Sequence, residues 1–524
     1  MTEQEQKNNQ PEIKKRSCLA SRIVGPAWIA ALSTLLVAGL FLRAPWKITA
    51  LIFIFLAAAS ILPRVYRKWF WAGIGAIAAG LVIWVFLPED SKSWRPYTFE
   101  KELATLEAEY AIPDGENAAI VYNQLLKDYD ESTFRSSLID TDFGGCIVKE
   151  PWLSKECPEA AQWLGQQEGT ITKLIEASKI ENCRFPISAD FSHVDVTIHR
   201  LIPMEQWALL LIWSANNDIA EGQTENGLEK YYSALQMGKQ LNQQSSLLDF
   251  LVGAGIERNS MSQFKRFAVL GDATEERLNF IEKALTGIKY DWSHDFPRFL
   301  EHESLLAKNS WGKFYEVNPE GKIRLTRSFA NVMREQLPQD MKDKFVITYW
   351  RERIMRLSAI WAWFYMPSMP QQAGVIIDTV YERYYAMAEP DFDRQKAPKR
   401  FSIIPINLNY RYMIEMQIRI LEPAYRNIHN MYLRTMAQQR GSRLIVALRR
   451  YKNKNGSWPD SLDEVKSSAS EEIFIDPTND GSFVYRKFTS EDFVLYSKGK
   501  DNIDDNSRYD SDDWPIWPPS NNLR

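Results

Sequence analysis

Hard oxygen ligands crowd the C-terminal end of this chain. Asp501, Asp504, Asp505, Asp510, Asp512 and Asp513 fall within "DNIDDNSRYDSDD", and Arg508 is the one basic residue among them. Carboxylates at that density repel one another unless solvent or a cation screens them. Calcium gathers about six to eight oxygens from a turn flexible enough to wrap it. The run lacks the D-x-D-x-D-G spacing of an EF-hand, and charge runs near chain ends are commonly just solvated. Two readings therefore stand here: a calcium site, or an acidic tail in water.

A second polar cluster lies in "DWSHDFPRFLEHESLL", with Asp291, His294, Asp295, Glu301, His302 and Glu303. A hydrolase working through carboxylates or a metal would draw on such groups. Its imidazoles lack the H-E-x-x-H spacing that places two on one helix face. Glu301, His302 and Glu303 are near neighbours, so on a helix they diverge, and a solvated face with one satisfied histidine is the expectation. His193 and His199 flank "VDVTI" at a spacing that suits neither a zinc helix nor a nucleophile–base pair. No G-x-S-x-G elbow or Walker loop occurs. No catalytic or cofactor-binding residue is singled out.

These groups must be positioned by a long chain. At 524 residues it exceeds one ordinary core, and its formal net charge of -4 carries no basic footprint for nucleic acid. The 18 tryptophans are expected to serve mainly in helix packing. Ile23 to Leu42 is apolar, uncharged and long enough to cross a bilayer; Ile48 to Leu62 is shorter, and Trp69 to Leu87 carries tryptophans near its ends. Three spanning helices are expected over 23–87, with the second segment the least secure in length. Lys7, Lys14, Lys15, Arg16 and Arg22 precede the first run, and Arg64, Arg67 and Lys68 separate the second from the third. By the positive-inside rule the N-terminus is cytoplasmic and the bulk after Leu87 is outside. Cys146, Cys157 and Cys183 then face an oxidising compartment, as one bridge at most or as three buried thiols.

The expected fold is mainly α: a cytoplasmic tail at 1–22, the three-helix anchor at 23–87, helical regions at 88–270 and 271–440, and a small α+β module at 441–524. "IPDGENAAIVYNQLLKDYD" opens a helix with Ala118, Tyr122 and Leu125 on one face. In "WALLLIWSANNDIAEGQTENGLEKYYSALQMGKQL", small Ala215, turn Gly222, small Gly227, Tyr231 and Ala234 sit where a tetratricopeptide helix pair packs its small and aromatic residues. The repeat does not recur regularly, so the middle reads as an irregular helical array. "LSAIWAWFYMPSMP" is too short to span a membrane and is expected in the core. Near the end, Leu444, Leu448 and Tyr451 share a helix face, Gly456 stops that helix, Ser461 and Glu464 form a capping-box pattern, and short strands flank a turn at Gly481.

The last stretch, with "NGSWPDSLDEV", "DPTNDGSFVYR" and "FVLYSKGKDNIDD", resembles the globular part of the major pseudopilin of type II secretion. That resemblance implies calcium in the loop after Ser497, Gly499 and Asp501. No prepilin cleavage motif precedes the first apolar run. The portion after the anchor is also similar to uncharacterised bacterial membrane proteins in which "PDGENAA", "CRFP", a helical centre and this C-terminal pattern occur together. The resulting expectation is an inner-membrane, multi-pass scaffold whose partners are the lipid bilayer and other envelope proteins, with no nucleic acid. Its rivals are an extracytoplasmic hydrolase using Asp291 to Glu303, and an accessory part of a secretion-type assembly.

Overall fold

The computed structural model describes residues 93–130, 150–187, 194–326, 369–388, 410–419, 422–507 and 511–518, plus scattered positions at 72–80, 332 and 366. The expected spans over 23–87 thus lie almost wholly outside the described residues, as do Cys146, His193, Asp510, Arg508 and most of "LSAIWAWFYMPSMP". Among the described residues, no helix is long and apolar enough to cross a membrane.

The fold is mainly helical, with two small antiparallel sheets. In chain order the elements are β1 (Arg95–Pro96), α1 (Glu100–Glu109), α2 (Ala119–Lys127), α3 (Pro158–Gln166) and α4 (Glu168–Ser178). The long helices α5 (Val194–Ala220), α6 (Thr224–Asn242) and α7 (Leu247–Leu270) follow, then α8 (Glu275–Thr286) and α9 (Trp292–Gly312). A hairpin of β2 (Tyr315–Val317) and β3 (Ile323–Leu325) precedes α10 (Pro370–Tyr385), α11 (Tyr410–Arg419) and α12 (Glu422–Asn455). The chain closes on β4 (Val484–Lys487), β5 (Phe493–Ser497) and β6 (Trp514–Trp517).

These elements fall into two compact units. The first comprises Met1–Phe99, Ala307–Val380 and Arg394–Ile420; the second comprises Glu100–Leu306, Tyr381–Asp393 and Leu421–Arg524. In the first, β2 pairs with both β1 and β3. Asn309 holds the backbone N–H of Phe99 at 2.8 Å, and Arg324 lies over the Trp94 ring at 3.9 Å. This hairpin was not anticipated from the sequence.

In the second unit, α5 and α6 form the helical hairpin expected around Gly222. Ala215, Tyr231 and Ala234 are buried, and a Cβ at Gly227 would lie 2.6 Å from Ile219 Cγ1 and 2.9 Å from the Ala215 carbonyl. The next crossing is tighter still. A Cβ at Gly238 would meet the Gly253 carbonyl at 2.8 Å, so α6 and α7 approach backbone to backbone. Ser246 caps α7 by accepting from the Leu248 N–H at 3.2 Å, and Thr274 caps α8. Ala118, Tyr122 and Leu125 are buried together, as their spacing requires.

Helix α12 carries this packing into the C-terminal module. Its residues Leu444 to Leu448 are buried in the same cluster as Trp207 of α5, Phe264 of α7, Phe493 of β5 and Ile516 of β6. A Cβ on Gly441 would collide with Ile516, which places β6 hard against the helix. Gln439 donates to the carbonyls of Leu285 and Ile288 at 2.7 and 2.8 Å, closing the last turn of α8 and the residues after it. Arg443 joins Glu282 at 2.9 Å to Glu472 at 2.5 Å. The helix stops at Asn455, before Gly456. The segment beyond it, Leu462–Ser468, is a 3₁₀ helix, and the expected capping box does not form. Glu464 instead accepts from the Asp460 N–H at 3.0 Å and from the Tyr451 hydroxyl, and the Ser461 side chain makes no cap.

Candidate functional site

The acidic turn is a loop between two paired strands, since β5 and β6 are antiparallel neighbours and the run from Lys498 to Asp513 joins them. Trp514 and Trp517 follow it into the sheet, so the acidic run lies between two paired strands and not beyond the fold. Its floor is built from buried polar groups. Asp476, fully buried, accepts from the Thr478 N–H at 3.0 Å, the Thr478 hydroxyl at 2.7 Å and the Asn479 amide at 3.1 Å. Thr478 and Ser497 hydroxyls are 3.0 Å apart, and the Asn479 amide donates to the Gly499 carbonyl at 2.6 Å. Gly499 has a φ of 65°, and a Cβ there would run into the Asp512 backbone, so the element Ser497–Asp501 admits no side chain at its central position 499.

The six aspartates take different duties on this floor. Asp512 accepts from the Lys500 N–H at 2.5 Å and pairs with Arg434 of α12 at 3.0 Å. Asp504 accepts from the Tyr496 hydroxyl at 2.7 Å and pairs with Arg486 at 2.5 Å; the hydroxyl bond, then the Asn506 N–H and the arginine, hold its carboxyl below the usual range. Asp501 caps the Ile503 N–H at 3.0 Å. Asp513 is buried, and its Oδ2 accepts from the N–H groups of Asp505 at 3.1 Å and Ser507 at 2.6 Å. Its Oδ1 has no hydrogen-bond partner among the described residues. Burial raises the Asp513 carboxyl, and the charges of Asp504 and Asp505 raise it further. Asp510 lies outside the described residues.

A calcium ion fits this donor set in part. A buried carboxylate oxygen without a hydrogen-bond partner among the described residues is what such an ion would satisfy. Two of the six aspartates, Asp504 and Asp512, already hold arginines. Among the described residues no group of three or more His, Cys, Asp or Glu side chains converges to hold a metal. Among the described aspartates of this turn, Asp513 alone leaves a buried oxygen that a cation could take, and calcium also accepts carbonyl oxygens and water.

The second cluster does not converge. Asp295 holds the Tyr432 hydroxyl at 3.1 Å on one oxygen, and Arg298 at 3.2 Å and His294 at 3.3 Å on the other. Arg298 spends its other reach on the Asn242 carbonyl at 2.7 Å. Glu301 takes the Tyr110 hydroxyl at 3.1 Å, and burial raises its carboxyl. Glu303 is pushed up to about 7 by burial. His302 is buried, whereas a solvated face was expected, because α9 packs this side inward. Asp291 caps the first turn of α9 by accepting from the His294 N–H at 3.3 Å. His199 is exposed.

Sequence reasoning missed two buried ionisable groups of α7. Glu257 of α7 lies over Gly238, takes the Tyr290 hydroxyl at 2.6 Å on Oε2 and has no partner on Oε1; burial lifts it to about 7. Lys265 of α7 is buried against Gln438 of α12, whose amide donates to the Pro515 carbonyl at 2.9 Å. Burial, helped by Arg258, lowers its amine to about 7. A charged residue on an otherwise apolar helix face was the available signal. Cys183 is buried, and that burial raises its thiol to about 12.

No known family matches this chain, and neither a curated protein nor a solved structure matches it.

Proposed function

We propose that this chain is a membrane-anchored scaffold of the bacterial envelope, in which an irregular array of tetratricopeptide-like hairpins holds out a pseudopilin-like module for other envelope proteins. The observation that carries the reading is the continuous core through α12. Leu444 to Leu448 pack against helices on one side and the β4–β6 module on the other. A module braced in this way presents its surface rigidly, which lowers the entropy cost of binding a partner. Support for the anchor comes from the apolar runs over 23–87 and from the described positions at 72–80, which are helical and exposed. Calcium in the turn before β6 would stiffen that surface.

The topology is tested by fusing, after Arg524, a reporter enzyme active only outside the cytoplasm. Activity is expected, and activity of a cytoplasm-only reporter at the same place would overturn the orientation. The scaffold role is tested by photo-crosslinking the full-length protein in its native membrane. Discrete heterologous adducts are expected, and a chain that crosslinks only to lipid and itself would overturn it.

A further inference from the structure

The C-terminal module contains a cleft of about 840 Å³ that has no part in the acidic turn. One wall is the 3₁₀ segment carrying Leu462, Asp463 and Lys466; the other is the chain from Asp480 to Phe483 with Tyr485 of β4. Phe474 and Phe483 are buried beneath it, and Ile475 stands 42% exposed in its lining. Such a volume is in the range that small ligands and short peptide segments fill. An exposed isoleucine over an aromatic floor gives that occupant apolar surface to cover.

Charge decides what kind of occupant fits. Asp460, Asp463, Glu471 and Asp480 line the cleft, against Lys466 alone. Lys466 is spent on Asp463 at 2.6 Å, and Lys487 reaches Asp460 at 2.8 Å from outside the lining. Glu471 and Asp480 enter no ion pair among the described residues. β4 ends its sheet among the described residues, with β5 on one side and, just before the strand, a single antiparallel bridge from Ser482 to Ile475 on the way into it. An extended segment can therefore lie beside it, with alternate side chains turned to opposite faces.

We infer that this cleft binds an extended peptide segment of a partner protein, one in which lysine or arginine alternates with an apolar residue. The cationic groups meet Glu471 and Asp480, and the apolar groups cover Ile475 and the aromatic floor. This deepens the scaffold reading by naming its partner's chemistry, and it rests on the module being a recognition surface.

The test is fluorescence anisotropy on the detergent-solubilised full-length protein. The probe is a capped, labelled hexapeptide of alternating lysine and leucine, compared with the same peptide carrying glutamate for lysine. The lysine peptide is expected to bind, more weakly as salt rises, and the glutamate peptide is not. Glu471→Gln with Asp480→Asn is expected to weaken binding about tenfold, from about two- to five-fold per carboxylate. Asn suits position 480, where φ is 59°. Ile475→Ser should weaken binding as well, and Glu205→Gln, on exposed α5 surface, should leave it unchanged. Absence of lysine-peptide binding, indifference to the Glu471 and Asp480 changes, or equal competition by spermidine would each overturn the inference. In the last case charge alone would suffice. Such a failure leaves the membrane crosslinking result untouched, so the two readings fall separately.

Discussion

The helical interior and the turn before β6 both hold several carboxylates, and they handle them in opposite ways. Around α7, carboxylates are taken out of water and left with few partners. Glu257 has one hydroxyl donor, and its carboxyl stands near 7 because ionising it there is costly. In the turn the described carboxylates other than the buried Asp513 stay at or near the surface and are consumed as acceptors. Asp501 takes a backbone N–H, while Asp504 and Asp512 each take a backbone N–H and an arginine. The first arrangement stores a pH response in the core, and the second shapes a loop. Acidic density in a sequence therefore says little by itself. The solvent that the fold leaves around each group decides its role.

The comparison is broken most sharply at Glu257. Its folded-state carboxyl lies near 7 against about 4.3 in the unfolded chain. Between those values the folded state binds more protons, so stability falls as pH rises through the window, and stays lower above it. At about 1.4 kcal/mol per unit the loss is roughly 3–4 kcal/mol. Lys265 acts with the opposite slope. Its amine is neutral in the fold above about 7 while the unfolded chain stays charged to about 10.4, so stability rises across that alkaline range. Chemical denaturation at a series of pH values should show a minimum near neutrality. Glu257→Gln should flatten the acid side and Lys265→Met the alkaline side. Unaltered profiles in both variants would mean that these groups reach water.

A smaller effect is expected at the α5–α6 hairpin. Gly227→Leu puts a side chain where the Ala215 carbonyl, which cannot swing aside, would lie 2.9 Å from its Cβ. Overpacking of this kind costs roughly 1–3 kcal/mol. A melting temperature equal to that of the parent chain would show that the helices separate freely, and the rigid-scaffold argument would lose its base.

What the sequence made legible follows the length and regularity of each signal. The α5–α6 hairpin was readable because small residues recur at the helical crossing, and α12 was readable through Leu444, Leu448 and its stop before Gly456. The β2–β3 hairpin was not, because each strand is only three residues within a region read as mainly helical. Its Asn-Pro-Glu-Gly turn is the signal that would have revealed it. Of the acidic residues, the sequence marked Asp501, Asp504, Asp505, Asp512 and Asp513 as a group but could not separate them. Their division depends on Arg434 and Arg486, which come from α12 and β4. Asp476 was overlooked, although Asp-Pro-Thr-Asn is a pattern in which an aspartate bonds the backbone two residues on.

The smallest expected effect tests the turn itself. If calcium binds Asp513 Oδ1, it binds the folded chain alone, so it stabilises by mass action: about 1.4 kcal/mol at ten times the dissociation constant. Magnesium should do less, since it demands a stricter octahedron and releases water reluctantly. Asp513→Asn is the discriminating variant, because one oxygen remains to accept from the Asp505 and Ser507 N–H groups while the orphaned carboxylate oxygen is lost. Asp504→Asn is the contrast, since it weakens the pairing with Arg486 and leaves Asp513 in place. Differential scanning calorimetry of the full-length protein, in calcium and in chelator, should show a shift that Asp513→Asn removes and Asp504→Asn only reduces. Identical melts with and without calcium would leave the turn as a braced loop. The difference from the helical interior would then be one of solvent exposure alone.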